Sequence, residues 1–289
     1  MATILLTGAT GKVSSATIGE LKGAGHKVIA MVRDLEKSKG LAALGAELRV
    51  GDLAKPRALG PVFADVDVAL LLAPAGELAP FLSSNALWAA KQAGVKHVVR
   101  MSAVGAAHDA PTLNSRMHAL SDAELVASGL RYTILKPHFF MQNLMMTAQS
   151  IAQQGTFYFA LGEAALPVID VRDIAKVAAR VLANPADHAN KVYTLTGPAA
   201  VTMHTFAKAV ADTIGKKVTY VPVPVSAAIE SMAKMGVDEY GLTSLGDYFT
   251  AYSKGWQNEV TPDVKRITGA EPRSIATFVS DFAAAFGKS

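Results

Sequence analysis

The residues best placed for chemistry lie near the start of the chain. Gly8-Ala9-Thr10-Gly11 separates the apolar run Thr3–Leu6 from Lys12–Gly23, where Val13, Ala16, Ile18 and Leu21 recur at helical spacing. A residue without Cβ lets the backbone turn sharply out of a strand. A second one lets the opening turn of a helix approach a bound group closely. The free N–H groups and the helix dipole at such a start favour an anion such as a pyrophosphate, with Lys12 and Val13 in the same turn. The run Lys27–Val32 then ends at Arg33, and no acid precedes it. An acid at that strand end holds ribose hydroxyls and repels a 2′-phosphate, whereas a guanidinium pairs with the phosphate and stacks on adenine. Lys37 and Lys39 add positive potential, and Asp34 either turns outward or partly neutralises Arg33. The expected ligand is a dinucleotide, NADPH ahead of NADH.

A second group, His138, Phe139, Phe140 and Asn143, follows the strand candidate Tyr132–Lys136. In an open parallel sheet, ligands lie beyond the C-terminal strand ends, so this stretch is expected to line a substrate pocket. Two adjacent aromatics can form a flat apolar wall for a ring-shaped substrate, and they can equally pack one lobe against another.

The elements that must position these residues are short apolar runs alternating with amphipathic stretches. The runs are Thr3–Leu6, Lys27–Val32, Glu47–Val50, Val66–Leu72, Val95–Met101 and Tyr132–Lys136, with Phe81–Ala93 helix-like between two of them. Such runs indicate strands buried on both faces of a parallel sheet, joined by right-handed crossovers. The spacing predicts an α/β, Rossmann-type, doubly wound parallel sheet over residues 1–136. A smaller, mostly helical, partly interleaved lobe is expected over 137–289. In that lobe Phe157–Ala160 and Leu166–Val168 read as short strands and Val192–Thr196 as a strand returning to the main sheet. Asp170–Leu182, Thr202–Ile214, Ser226–Lys234 and Ser274–Phe286 read as helices. Trp88, at helical spacing among apolar neighbours, is expected in the core.

Composition narrows the classes. Of 289 residues 51% are hydrophobic, enough for a large core. A net charge of +4, from 28 basic against 24 acidic residues, is small and dispersed, which argues against nucleic acid as a partner. The chain has no cysteine, so disulfides, thiol catalysis and thiolate metal sites are excluded, and no metal site is expected. No apolar run approaches membrane-spanning length, and MATILLTGATG reads directly into a strand and turn rather than a secretory signal. A cytoplasmic location is expected.

Thr7-Gly8-Ala9-Thr10-Gly11-Lys12-Val13 resembles the TGATGxxG turn of the NmrA-like group of atypical short-chain dehydrogenase/reductases, with Ser14 where a third Gly is usual. Met31-Val32-Arg33-Asp34 is similar to that family's second-strand end, Val50-Gly51-Asp52-Leu53 to its adenine-side turn, and Ala93–Val99 to its approach to the fifth strand. Ser128-Gly129-Leu130-Arg131-Tyr132-Thr133-Ile134-Leu135-Lys136-Pro137 resembles SGLxYTILRP, with Lys136 replacing Arg, and Gly269–Ser274 resembles a segment near the C-terminus of bacterial members. The resemblance spans nearly the whole chain. It implies a cofactor lining that adds Asp52, Leu53, Leu72, Ala73, Pro74, Ser102, His118 and Pro137 to the glycine turn and Arg33.

By the family's spacing, the Tyr and Lys that exchange a proton with an alcohol substrate fall here on Asn114 and His118, with Asp122 where Glu is common. Ketone reduction by the Tyr–Lys route is therefore not expected. His118 is left with three roles: contact with the nicotinamide ribose, proton transfer near neutrality, or none. Ser102 can polarise a carbonyl or cap its loop. The resemblance implies an NAD(P)H-dependent reductase of quinone-, azo- or dye-like conjugated acceptors, in which orientation and water exclusion carry the catalysis. Two alternatives are a dinucleotide-binding redox sensor acting on a regulatory protein partner, and a specialised-metabolite reductase or isomerase. A homodimer is a further expectation.

Overall fold

The computed structural model describes residues 1–288. Strands and helices alternate through the first half: β1 (Thr3–Leu6), α1 (Lys12–Leu21), β2 (Lys27–Val32), α2 (Lys39–Ala43), β3 (Glu47–Val50), α3 (Gly60–Phe63), β4 (Val68–Leu71), α4 (Ala79–Gln92), β5 (His97–Met101), α5 (Leu113–Ala127) and β6 (Arg131–Pro137). Then follow α6 (Ala148–Gln154), β7 (Thr156–Phe159), α7 (Val171–Ala183), β8 (Lys191–Leu195), α8 (Met203–Ile214), β9 (Thr219–Pro222), α9 (Val225–Lys234), α10 (Glu239–Ser253), α11 (Asp263–Thr268) and α12 (Ile275–Asp281).

Seven strands form one sheet in the order β3-β2-β1-β4-β5-β6-β8, and every neighbouring pair is parallel. The order reverses between β1 and β4, which places a ligand crevice beyond their C-terminal ends. The alternation along each strand feeds two cores. Ile4, Leu6, Ala30, Val32, Leu70 and Val99 face α1 and α7. Leu5, Ile29, Met31, Ala69, Leu71 and Val98 face α3 and α4. Both faces being covered explains why these strands read as unbroken apolar runs. β8 comes from beyond residue 136 and completes the main sheet beside β6. The remainder packs around an aromatic core of Phe157, Phe159, Phe206, Tyr220, Phe249 and Phe278, beneath the two-stranded parallel sheet β7-β9.

Several sequence expectations need correction. Trp88 is 52% exposed, because α4 buries Ser83, Ala86, Leu87, Ala89 and Ala90, and residue 88 lies off that face. Leu166–Val168 forms no strand beyond a bridge from Leu166 to Val201. β9, α10 and α11 are among the elements with no counterpart in the segments that the spacing predicts. No helix among the described residues is long and apolar enough to cross a membrane.

Candidate cofactor and acceptor site

The turn after β1 is held by its own chemistry. The Thr7 hydroxyl accepts from the Leu72 N–H at 2.8 Å and donates to the Leu72 carbonyl at 3.0 Å, locking the end of β1 to that of β4. Gly8 has φ +58°, and a Cβ there would lie 2.9 Å from both the Leu72 carbonyl oxygen and its Cδ2. Gly8 is thus required by the fold itself as well as by any ligand. Gly11 donates its N–H to the Gly8 carbonyl at 2.9 Å and leads into α1. Thr10, Gly11 and Lys12 are exposed, whereas Ala9 and Val13 are buried core residues that can offer a ligand only backbone. Ser14, at the usual third glycine, is fully buried and donates to the Thr7 carbonyl at 2.9 Å. The hydroxyl pins helix to strand where a glycine would only allow them to approach.

On the adenine side Arg33 is exposed and forms no ion pair among the described residues. Asp34 turns away from it: its carboxylate accepts the Lys37 N–H at 3.2 Å and lies 3.8 Å from the Lys37 ammonium. Lys39 is paired with Glu36. The guanidinium is therefore free for a phosphate. Asp52 accepts the Ala54 N–H at 2.9 Å, and the Leu53 carbonyl is held by Asn85 at 2.7 Å while its side chain is buried. Ala73 and Pro74 continue past β4 at the rim of the crevice.

Beneath the other half of the crevice lies a buried charged network. Arg100, on β5 and 3% exposed, donates its Nε–H to Asp122 Oδ1 at 2.8 Å. Ser102 donates to Asp122 Oδ2 at 2.7 Å, and the Lys136 ammonium lies 3.6 Å from that oxygen while donating to the Ala106 carbonyl at 2.9 Å. In this arrangement the one Ser102 proton goes to Asp122 rather than toward the crevice.

Arg100 also reaches His118 Nδ1, from Nη2 at 3.3 Å. A guanidinium only donates, so Nδ1 must accept, and His118 carries its proton on Nε2. His118 lines a small cavity together with Ala73, Ala75, Asn114, Met117 and Ser121. Burial, together with the positive charges of Arg100 and Lys136, pushes the imidazole pKa down to about 3. Burial and the two cations thus favour the neutral imidazole at neutral pH. His118 is a fixed neutral N–H donor, poorly suited to proton relay and well suited to a hydroxyl or amide oxygen.

Asn114, where the family's tyrosine would stand, is not alone. Its Nδ2 donates to the Tyr248 hydroxyl at 2.9 Å, and its Oδ1 accepts from the Tyr240 hydroxyl at 3.0 Å. Both phenols come from α10. Burial raises the Tyr240 pKa above its ordinary value, with the nearby Glu77 carboxylate acting the same way. The sequence reading missed both residues. The signal available was Asp238, which caps α10 through the Gly241 N–H at 2.8 Å, ahead of apolar Leu242, Leu245, Phe249 and Tyr252.

Of the two readings of Phe139 and Phe140, packing describes their contacts. His138 is 2% exposed, accepts the Phe139 N–H on Nδ1 at 2.7 Å and donates from Nε2 to the Gln257 carbonyl at 2.9 Å. Burial pushes its pKa down to about 4. Phe139 packs edge-on against Phe159 and Tyr252 in the aromatic core, while Phe140 packs against the sheet core. Neighbours on extended backbone point oppositely, so the pair fills two cores. Asn143 is exposed at the start of the following turn, and Pro137 is buried at the end of β6.

A seven-stranded parallel sheet with a glycine turn at its switch point is the class of fold built to hold a dinucleotide. The chain belongs to the NmrA-like family, whose model matches residues 1–271. It is 35% identical over 284 residues to the NAD(P)H azoreductase of Xenophilus azovorans, covering 98% of this chain and 99% of that one. The NADPH complex of the quinone oxidoreductase QOR2 from Escherichia coli superposes with a TM-score of 0.88 at 28% identity, over 96% of this chain and 99% of that one. The triphenylmethane reductase of a Citrobacter species, complexed with NADP(H), gives 0.86 at 25% identity, over 97% and 99%.

Proposed function

We propose that this protein is an NADPH-dependent reductase of conjugated acceptors of the quinone, azo or dye type. The observation that carries the reading is the pairing of an end-to-end likeness to such reductases with a site in which Asn114 and a neutral His118 replace the tyrosine–lysine pair. The residues fit the cofactor. Gly8 and Gly11 put no Cβ into the turn where a pyrophosphate would lie and the start of α1 faces it, Arg33 is free for a 2′-phosphate, and the His118 Nε2–H can hold a ribose hydroxyl. Bound NADPH supplies hydride from its nicotinamide C4. The protein's own part is to orient that ring, exclude water and supply donors where negative charge develops.

The test is steady-state NADPH oxidation with a neutral quinone, an azo compound and a cationic triphenylmethane dye. Turnover with at least one acceptor is expected. Tight NADPH binding without turnover on any of them would overturn the reading in favour of a sensor.

A further inference from the structure

The position that lost its tyrosine is surrounded by tyrosines from elsewhere in the chain. α10 crosses the start of α5 and is fixed to it by Asp247, which accepts the Leu113 N–H at 2.8 Å. That contact sets both phenols against Asn114, at 3.0 Å for Tyr240 and 2.9 Å for Tyr248. The two differ in freedom. Tyr248 is stacked on Tyr252, with ring centroids 5.3 Å apart and planes 22° apart, and its hydroxyl also lies 3.4 Å from Ser115 Oγ. Tyr240 is half-buried on the first turn of α10 and lines a cavity of about 450 Å3 with Pro74, Ala75, Gly76 and Ala79. The smaller cavity beside the His118 ring shares Ala75 and Ala79 with it. These loop residues follow β4, the immediate neighbour of the glycine-turn strand, so the cavity borders the crevice where a nicotinamide ring would lie.

We propose that Tyr240 supplies, from the second lobe, the proton that the family's missing tyrosine would have given, and delivers it to the reduced acceptor. The inference rests on the reductase reading above. In the step, the C4–H bond of NADPH breaks and hydride forms a new bond to the acceptor, leaving NADP+, and negative charge develops on the oxygen or nitrogen of a neutral quinone or azo compound. In the same transition state the Tyr240 O–H bond breaks, and its proton bonds to that oxygen or nitrogen. The phenolate recovers a proton from water. The sum is NADPH, one proton and acceptor going to NADP+ and the two-electron-reduced acceptor. Before transfer the phenol donates to Asn114 Oδ1, and the acceptor's heteroatom replaces that amide oxygen as its partner.

A cationic triphenylmethane dye separates the steps, because hydride alone converts it to a neutral product and no proton is needed. The experiment compares the unmutated protein, Tyr240→Phe and Tyr248→Phe at saturating NADPH on a neutral quinone and on a cationic dye. A positioned general acid contributes roughly 100- to 10,000-fold. In Tyr240→Phe the quinone-to-dye ratio of kcat is expected to fall at least about tenfold, with loss of the solvent deuterium isotope effect on quinone turnover. Tyr248→Phe is expected to leave the ratio within about twofold. Tyr240→His, which keeps a transferable proton, should restore part of the ratio and serves if the Phe variant is unstable. An unchanged ratio in Tyr240→Phe, or a fall in Tyr248→Phe alone, overturns the assignment while leaving the reductase reading intact. Absence of turnover by the unmutated protein on every acceptor overturns both.

Discussion

Removing the carboxylate of Asp122 should destabilise this protein more than almost any other single change near the crevice. Asp122 is 7% exposed and receives Arg100 and Ser102 at 2.8 and 2.7 Å, with Lys136 at 3.6 Å. In Asp122→Ala the guanidinium, 3% exposed, keeps only long contacts to Ser83 Oγ at 3.4 Å and His118 Nδ1 at 3.3 Å. Breaking a buried pair by deleting one partner costs about 3–5 kcal/mol, because the remaining charge has no counter-ion and no water. The unfolding entropy of a chain this size is about 0.6 kcal/mol/K, so the midpoint should drop by about 5–8 °C. Urea titration and thermal melting at pH 7.5 measure the loss. The double variant Asp122→Leu with Arg100→Met removes both charges and should recover at least about half of it. A loss below about 1 kcal/mol in Asp122→Ala, or a double variant no better than the single one, would refute the claim that this pair holds a buried charge in place.

Arg33→Ala should reduce the preference for NADPH over NADH by roughly 10- to 100-fold, the worth of one charge-assisted phosphate contact, with NADH affinity nearly constant. Calorimetric titration with both cofactors checks it, and equal losses for the two would sink the assignment. Gly8→Ala should lower stability by about 1–3 kcal/mol, because it combines positive φ with the Leu72 backbone, and a melt unchanged within 1 °C would contradict this. Acid should destabilise the fold through His97 and His138, each 2% exposed and each held neutral by burial down to about pH 4. Their folded values lie below the unfolded one, so the unfolded chain takes up protons first. Stability is complete above about pH 6.5 and falls with pH until about 4, by about 1.4 kcal/mol per pH unit for each group. Urea midpoints from pH 8 to 4.5 should show that slope, and His97→Gln and His138→Gln should flatten it. A flat wild-type profile would exclude the effect.

The sheet was readable because its physics is local. Strands such as β4, with Val68 to Leu71 all buried, must be continuous apolar runs, and the glycine turn announces itself through φ. Arg33 was readable for the same reason, being the next residue after a strand end. The limits appear where one residue type serves two purposes. Trp88 and the buried α4 residues share an apolar pattern, and only the helix's actual facing distinguishes them. His138 to Phe140 have the composition of a pocket wall, yet the extended backbone splits them between two cores and the Gln257 carbonyl claims the imidazole.

The chemistry at position 114 was hidden for a stronger reason. Spacing along α5 could show that a tyrosine was absent, but the partners of Asn114 lie 126 and 134 residues away on a helix with no place in the predicted layout. α10 was obscured by Gly241 and Gly246, which lower helical propensity within its length. What stabilises it is tertiary: Phe249 and Tyr252 are buried in the aromatic core, and Asp247 holds the start of α5. A phenol on such a helix is placed by how two lobes pack, which leaves no local motif to find.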